Sequence, residues 1–150
     1  MAERHLAVLL QEIRSLVQNH EVLRHRFETL TSIPGIDFIT ATTMPTDLQE
    51  LGRANCREIA ALAGLAPMNR GCGAMRGNRC IWCGRFHVSN TLYMGAVNQI
   101  SRYGPSGAHY RRLVREGKKP KIALTAGMRK LVILANTLIF EDRYWQPTPL

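Results

Sequence analysis

Residues 64–87 read GLAPMNRGCGAMRGNRCIWCGRFH, and this stretch lies between two segments with helical character. Glycine recurs through it, at Gly64, Gly71, Gly73, Gly77 and Gly84, and cations stand between the glycines, at Arg70, Arg76, Arg79, Arg85 and His87. Glycine lets a backbone approach a ligand closely, and arginine presents a planar fork of donors that suits phosphate oxygens. The stretch predicts a loop that binds a polyanion; a solvated basic turn is the alternative.

The charge of the whole chain agrees with an anionic partner. Among 150 residues, 20 Lys and Arg stand against 11 Asp and Glu, a formal net charge of +9. DNA is the first candidate partner for such a domain. A membrane is not expected, because the apolar run 131–140 is interrupted by Asn136 and Thr137 and is too short to span a bilayer. No secretory signal is visible, so we expect a cytoplasmic protein with reduced cysteines.

The first thirty residues follow a heptad without Gly or Pro. This pattern predicts a long amphipathic helix over 1–30 that acts as a coiled-coil-like arm, with a homo-oligomer as its expected product. The a and d positions are Leu6, Leu9, Ile13, Leu16, His20, Leu23, Phe27 and Leu30.

The segment Ile33-Pro34-Gly35-Ile36-Asp37 predicts a turn between two helices. Apolar-Pro-Gly-apolar before a helix of small residues is typical of a helix-hairpin-helix motif, in which Gly35 would approach DNA. A purely structural turn is the equal alternative, because Asp37 would repel a phosphate and could cap the helix instead.

Further helical segments complete the chain, and no strand is expected. Pro45 should end or kink the second helix, with a short helix from Thr46 to Leu51, and Asn55 with Glu58 predicts a capping box. The remaining helices are expected over about 56–63, 86–103, 106–116 and 120–140. The prediction is an all-α fold, with a DNA-binding domain over 31–142 and a disordered tail over 143–150.

A second basic group precedes the last helix. Lys118, Lys119 and Lys121 crowd its positive end, which is unfavourable unless an anion binds there. We predict that these lysines contact phosphates.

Ordered motifs along the chain resemble the carboxy-terminal half of transposases of the insertion-sequence 110/116/902 family, which are related to Piv-type DNA invertases. The motifs are SIPGI (32–36), ELGR (50–53), AALAGLAP (60–67), MRGNRCIWCGR (75–85), TLYMGA (91–96), EGKKPKIAL (116–124) and MRKLVIL (128–134). The resemblance implies DNA binding in transposition and recombination. The residues that the patterns above predict to contact the DNA are Gly35, Arg70, Gly73, Arg76, Gly77, Arg79, Arg85, Lys118, Lys119 and Lys121.

Family members add an amino-terminal RuvC-like domain whose acidic tetrad binds Mg²⁺, and at least some use a structured guide RNA. The carboxylates here are scattered, so no cofactor is expected in this chain, and the resemblance implies a truncated transposase that is inactive alone. The family's serine nucleophile corresponds to Cys72. One alternative is a recombinase subunit that uses Cys72 with an acidic domain in trans; another is an RNA-binding or oligomerising fragment.

The spacing C-x7-C-x2-C-x3-H, formed by Cys72, Cys80, Cys83 and His87, admits a structural Zn²⁺ site. Coincidental cysteines are the favoured interpretation, because the family does not carry these ligands.

Overall fold

A computed structural model describes residues 2–69, 79–81, 84–102 and 104–147. These ranges contain seven helices and two short strands: α1 (Ala2–Asn19), α2 (Glu21–Thr31), α3 (Phe38–Asp47), α4 (Cys56–Leu62), β1 (Pro67–Asn69), β2 (Arg79–Ile81), α5 (Phe86–Ser101), α6 (Pro105–Arg115) and α7 (Pro120–Phe140). The all-α prediction is confirmed. The strand pair is an addition that the sequence pattern did not indicate.

The amino-terminal arm is helical, as predicted, but it consists of two helices. His20 adopts an extended conformation, with φ −112° and ψ 107°, between α1 and α2. A continuous heptad seam cannot pass through an extended residue, because the helical rise and rotation stop there. Leu6 and Leu16 on α1 are 58% and 65% exposed, whereas Leu30 at the end of α2 is fully buried. The arm therefore joins the core through α2.

The turn between α2 and α3 is packed against α5. Ile33 and Ile36 are buried, and Gly35 has a φ of +87°. A Cβ on Gly35 would lie 2.6 Å from Cγ of Gln99, so only glycine fits this contact. Asp37 caps α3, because its Oδ1 accepts a hydrogen bond from the backbone N–H of Thr40 at 2.8 Å.

Two helix boundaries differ from the prediction. Pro45 does not end α3, which continues to Asp47, and the expected helix 46–51 is replaced by turns after that residue. Pro45 lies in the last turn of α3, where its missing N–H costs a single hydrogen bond. Helix α6 begins at Pro105, with Gly104 as its N-cap, and not at residue 106. The Ser106 N–H donates to Oε1 of buried Gln99 at 3.1 Å.

Helix α7 forms the centre of the fold, and it packs against α2, α4, α5 and α6. By length and composition it could cross a membrane, but its stripe of Leu131, Ala135 and Leu138 is fully buried inside the protein. Asn136 joins α7 to the turn before α4: its Oδ1 accepts from Gly52 N–H at 2.8 Å, and its Nδ2 donates to the Ala54 carbonyl at 2.9 Å. The helix is therefore the core helix of this domain.

The segment after α7 packs on α2, whereas the sequence predicts disorder from residue 143. The Trp145 N–H donates to Ser32 Oγ at 2.8 Å, and the Tyr144 hydroxyl donates to a Glu28 carboxylate oxygen at 3.2 Å. These contacts fix residues 144 and 145 against the end of the arm. Residues 148–150 lie outside the described part of the chain.

Candidate nucleic-acid interface

The Gly/Arg stretch is closed at its base by a short antiparallel ladder. Pro67 pairs with Ile81 and Asn69 pairs with Arg79, so β1 and β2 bracket residues 70–78. Several predicted site residues fall in the stretch that the structure does not describe: Arg70, Cys72, Gly73, Arg76, Gly77 and Cys83. Arg79 and Cys80 are placed by their backbones in β2. The structure therefore locates where the loop begins and ends.

Backbone contacts hold this base against the end of α4. Gly64 and Gly84 have φ angles of +71° and +109°. The Arg85 N–H donates to the carbonyl of Leu62 at 2.9 Å. Because Leu62 is the last residue of α4, this bond uses one of the carbonyls that a helix end leaves without a partner. The loop thus leaves and returns at one point on the core.

Arg85 is occupied by intramolecular partners. Its two terminal nitrogens donate to the two carboxylate oxygens of Glu50 at 2.6 and 2.7 Å, and Nη1 also donates to the Asp47 carbonyl at 2.6 Å. The hydrogen bonds from Arg85 lower the pKa of Glu50 to about 2. This bidentate pair ties the start of α5 to the turn after α3, so the predicted contact of Arg85 with DNA competes with a positioning role.

Lys121 of the second basic group lies on the same surface as Ile81, at the base of the Gly/Arg stretch. Ile81 of β2 and Lys121 of α7 line two adjoining grooves, of about 460 and 380 Å³. The first groove is completed mainly by β1 and α7, and the second by the first turns of α5 and α7. We call this surface the β2–α7 groove; its lining residues are Leu65, Pro67, Ile81, Phe86, Ser89, Asn90, Tyr93, Lys121, Ile122, Leu124, Thr125, Ala126, Met128 and Arg129.

The electrostatic character of the β2–α7 groove is positive. Its lining contains Lys121 and Arg129 and no carboxylate. Lys118 and Lys119 are exposed directly before α7. The N-cap of α7 is Lys119, which makes no side-chain capping bond, and the first turn carries no acidic residue. The partial positive charge of this helix end therefore adds to the lysines, which favours an anion.

Gly35 does not line this surface. It packs on Gln99, whereas the groove meets α5 at residues from Phe86 to Tyr93. Gln99 lies six residues after Tyr93, or about 9 Å along the helix axis. The structure does not bring the helix-hairpin-helix-like turn to the β2–α7 groove, and the contact of Gly35 with DNA stays a prediction.

Exposed apolar side chains around the groove were not among the predicted site residues. Phe86, Tyr93 and Ile122 are 76%, 45% and 57% exposed. The one sequence signal for Phe86 is its position directly after the cationic stretch. Such large exposed side chains, grouped on one surface, indicate a contact with a partner.

The described residues bring no three His, Cys, Asp or Glu side chains together as a metal site. Their carboxylates do not fit a Mg²⁺ site, because they serve separate purposes on different surfaces: Asp37 caps α3, Glu50 holds Arg85, Glu58 completes the capping box of α4 and Asp142 pairs with His25. Of the predicted zinc ligands, His87 is exposed on α5, and the zinc prediction otherwise falls on side chains outside the described set.

Two other pKa shifts lie outside the β2–α7 groove. Burial lowers the pKa of His109 on α6, and the nearby charges of Lys130 and Arg112 add to this effect. Burial raises the pKa of Tyr144, and its hydrogen bond to Glu28 acts in the same direction. Neither group lines the groove, so neither is assigned a part in binding.

The structure defines a helical domain with a groove whose described lining carries two cations, Lys121 and Arg129. Residues 27–112 match the family described as Transposase IS116/IS110/IS902, and the chain belongs to this family. It is 28% identical over 139 residues to the pilin gene-inverting protein of Moraxella bovis, covering 88% of this chain and 42% of that protein. The pilin gene-inverting protein of Moraxella lacunata is 27% identical over 139 residues, which again cover 88% of this chain and 42% of that protein. The chain thus spans less than half of these relatives, and the resemblance seen in the sequence is confirmed.

Proposed function

We propose that this chain is a DNA-binding domain that acts in transposition or DNA inversion. The family, and the gene inversion for which the Moraxella relatives are named, support a role in DNA recombination. Since the chain spans less than half of those relatives, the proposal concerns binding by this domain and not the whole reaction.

The observation that carries the proposal is the position of Ile81 and Lys121 on the same groove. It brings the base of the Gly/Arg stretch beside the basic turn before α7, although about forty residues separate them in sequence. A phosphate backbone that follows the groove would meet Lys121 and pass the base of the Gly/Arg stretch. Contacts of this kind position a protein on DNA and dominate its affinity.

The lysines and the loop arginines have different parts in this proposal. Lys118, Lys119 and Lys121 contact phosphates at the start of α7, where helix N–H groups point outward. Arg70, Arg76 and Arg79 contact further phosphates along the same DNA strand. Arg85 holds the base of the loop in place through Glu50 and is not counted as a phosphate ligand.

Catalysis is a separate matter from binding. Attack by Cys72 would need metal-binding carboxylates from outside the described ranges, because those within them do not form a metal site. This reaction, and the use of a structured guide RNA, stay predictions that rest on the resemblance alone.

The test is fluorescence anisotropy of the purified chain with duplex DNA across a salt titration. The proposal expects an affinity that falls steeply and linearly with salt on logarithmic axes, because phosphate contacts release counterions. A folded sample that binds no DNA at low salt would contradict it. A structured RNA of equal length is the comparison; a strong preference for RNA would favour the RNA-binding alternative.

Helix α1 supports a second proposal, that two copies of the chain associate through the arm. Leu6, Leu9 and Leu16 are 58%, 55% and 65% exposed and lie on one face at heptad spacing. Sedimentation should show a dimer or larger species that becomes monomeric in Leu9→Glu/Leu16→Glu. A monomeric chain without these substitutions would contradict self-association.

A further inference from the structure

We propose that the β2–α7 groove holds an unpaired base of a DNA strand, stacked on Phe86 beside Tyr93. The inference rests on the proposed function and deepens it, because it states that the bound DNA has a locally unpaired base at this surface. The contact between the groove and the base is distinct from the contacts between the lysines and phosphates.

The first argument is the exposure of the aromatic rings. Phe86 is 76% exposed at the first position of α5, and Tyr93 is 45% exposed two turns later on the same helix. Both line the groove of about 380 Å³. An aromatic face that is open to solvent is what single-stranded nucleic acid uses for stacking, whereas the bases of a closed duplex offer no free face.

The second argument is the mixture of groups around these rings. Ser89, Asn90 and Thr125 place hydroxyl and amide groups on the same lining as the rings. Such groups can meet the donors and acceptors of a base edge. The Thr125 hydroxyl already donates to the Lys121 carbonyl at 3.0 Å. An apolar partner surface would cover the Ser89 hydroxyl and the Asn90 amide with groups that cannot form hydrogen bonds, so these two side chains favour a base over a purely hydrophobic protein contact.

The third argument is charge complementarity. The groove carries Lys121 and Arg129 and no carboxylate, while carboxylates line the pockets elsewhere on the domain, with Glu21, Glu28 and Asp142 near the arm. A base entering the groove brings its own phosphate to within reach of the basic turn. An unpaired nucleotide therefore satisfies the aromatic, polar and cationic parts of the surface together.

The experiment compares two DNAs, a perfect duplex and the same duplex with one unpaired 2-aminopurine. The chain should bind the second DNA more tightly and quench its fluorescence. In Phe86→Ala and Phe86→Leu, the affinity for the DNA with the unpaired base should fall by about 5-fold or more, because base–aromatic stacking is lost. Phe86→Trp should keep the higher affinity for that DNA. Phe86→Leu keeps an apolar side chain, so its loss would separate stacking from general burial.

Phe140→Ala is the matched control. Phe140 is 73% exposed, close to the value for Phe86, and it lies at the opposite end of α7, about 28 Å from Lys121 along the helix axis. This variant should bind both DNAs as the unmodified chain does.

The outcomes separate this inference from the proposed function. Equal binding of both DNAs, or an excess that survives in Phe86→Ala, would overturn the stacking site and leave DNA binding intact. Loss of binding to every DNA in the unmodified chain would overturn both. A change of oligomeric mass in Phe86→Ala without a change in DNA affinity would assign the groove to a second copy and overturn the inference.

Discussion

The backbones of Gly64 and Gly84 touch, so that a Cβ on Gly84 would lie 2.2 Å from the Cα and N atoms of Gly64. No real side chain fits at that distance. The contact joins the two ends of the Gly/Arg stretch to the end of α4, and it explains why glycine occupies position 84 without invoking a ligand.

Gly84→Ala should destabilise the fold at the base of the loop. The substitution adds a positive-φ penalty of about 1–2 kcal/mol and a clash with backbone atoms that costs roughly 1–3 kcal/mol more. Chemical denaturation measures the loss. Gly117→Ala is the control, since Gly117 has a φ of +82° but no described neighbour within 4 Å of the Cβ that alanine would add. This variant should lose only the stability that corresponds to the positive-φ penalty. Equal losses in both variants would contradict the close contact.

The pair of Glu50 and Arg85 should make stability depend on pH in the acid range. Hydrogen bonds from Arg85 lower the pKa of Glu50 from 4.5 to about 2 in the folded protein. The ionised carboxylate therefore stabilises the fold fully above pH 4.5, and this contribution is lost as the pH falls from 4.5 towards 2.

Glu50→Gln should be less stable than the unmodified chain at neutral pH, and the difference should shrink as the pH falls towards 2. Thermal unfolding at a series of pH values measures it. Glu12→Gln, at an exposed position of α1, removes one negative charge away from the pair and serves as the control. A difference between Glu50→Gln and the unmodified chain that stays constant with pH would show that the pair does not stabilise the fold through ionised Glu50.

Asn136→Ala should cost about 2–3 kcal/mol of unfolding free energy, because its removal leaves two polar groups without partners. The side chain is 4% exposed and satisfies the Gly52 N–H and the Ala54 carbonyl. Equilibrium denaturation is the measurement, with exposed Asn19→Ala as the control. A loss below about 0.5 kcal/mol would mean that water replaces both bonds.

Local signals in the sequence account for much of the fold. Asn55 with Glu58 predicts the start of α4, and Pro120 predicts the start of α7, because capping and proline chemistry act within a few residues. The break at His20 carries no such signal, since neither Gly nor Pro stands near it. Strands of three residues are also too short to show a period.

The cations of the candidate site could be predicted from the sequence, but their arrangement in space could not. Lys118, Lys119 and Lys121 stand out by charge alone. The position of Lys121 beside Ile81 depends on how α7 packs at the base of the loop, which is a long-range contact without a local pattern. Phe86 was not predicted as a site residue, because a phenylalanine at a helix start predicts burial as readily as exposure. Only the packing of the folded chain decides whether the side chain is exposed.

The most direct test of the DNA-binding surface is the salt dependence of DNA binding in Lys118→Ala/Lys119→Ala, measured by anisotropy on duplex DNA. If both lysines contact phosphates, the slope of log affinity against log salt should become shallower by about 2 relative to the unmodified chain. Lys130→Ala removes an exposed cation that lies ten residues after the start of α7, and its slope should be unchanged. A double variant with the unmodified slope, in a folded sample, would contradict the assignment of the basic turn before α7 as a phosphate contact beside the β2–α7 groove.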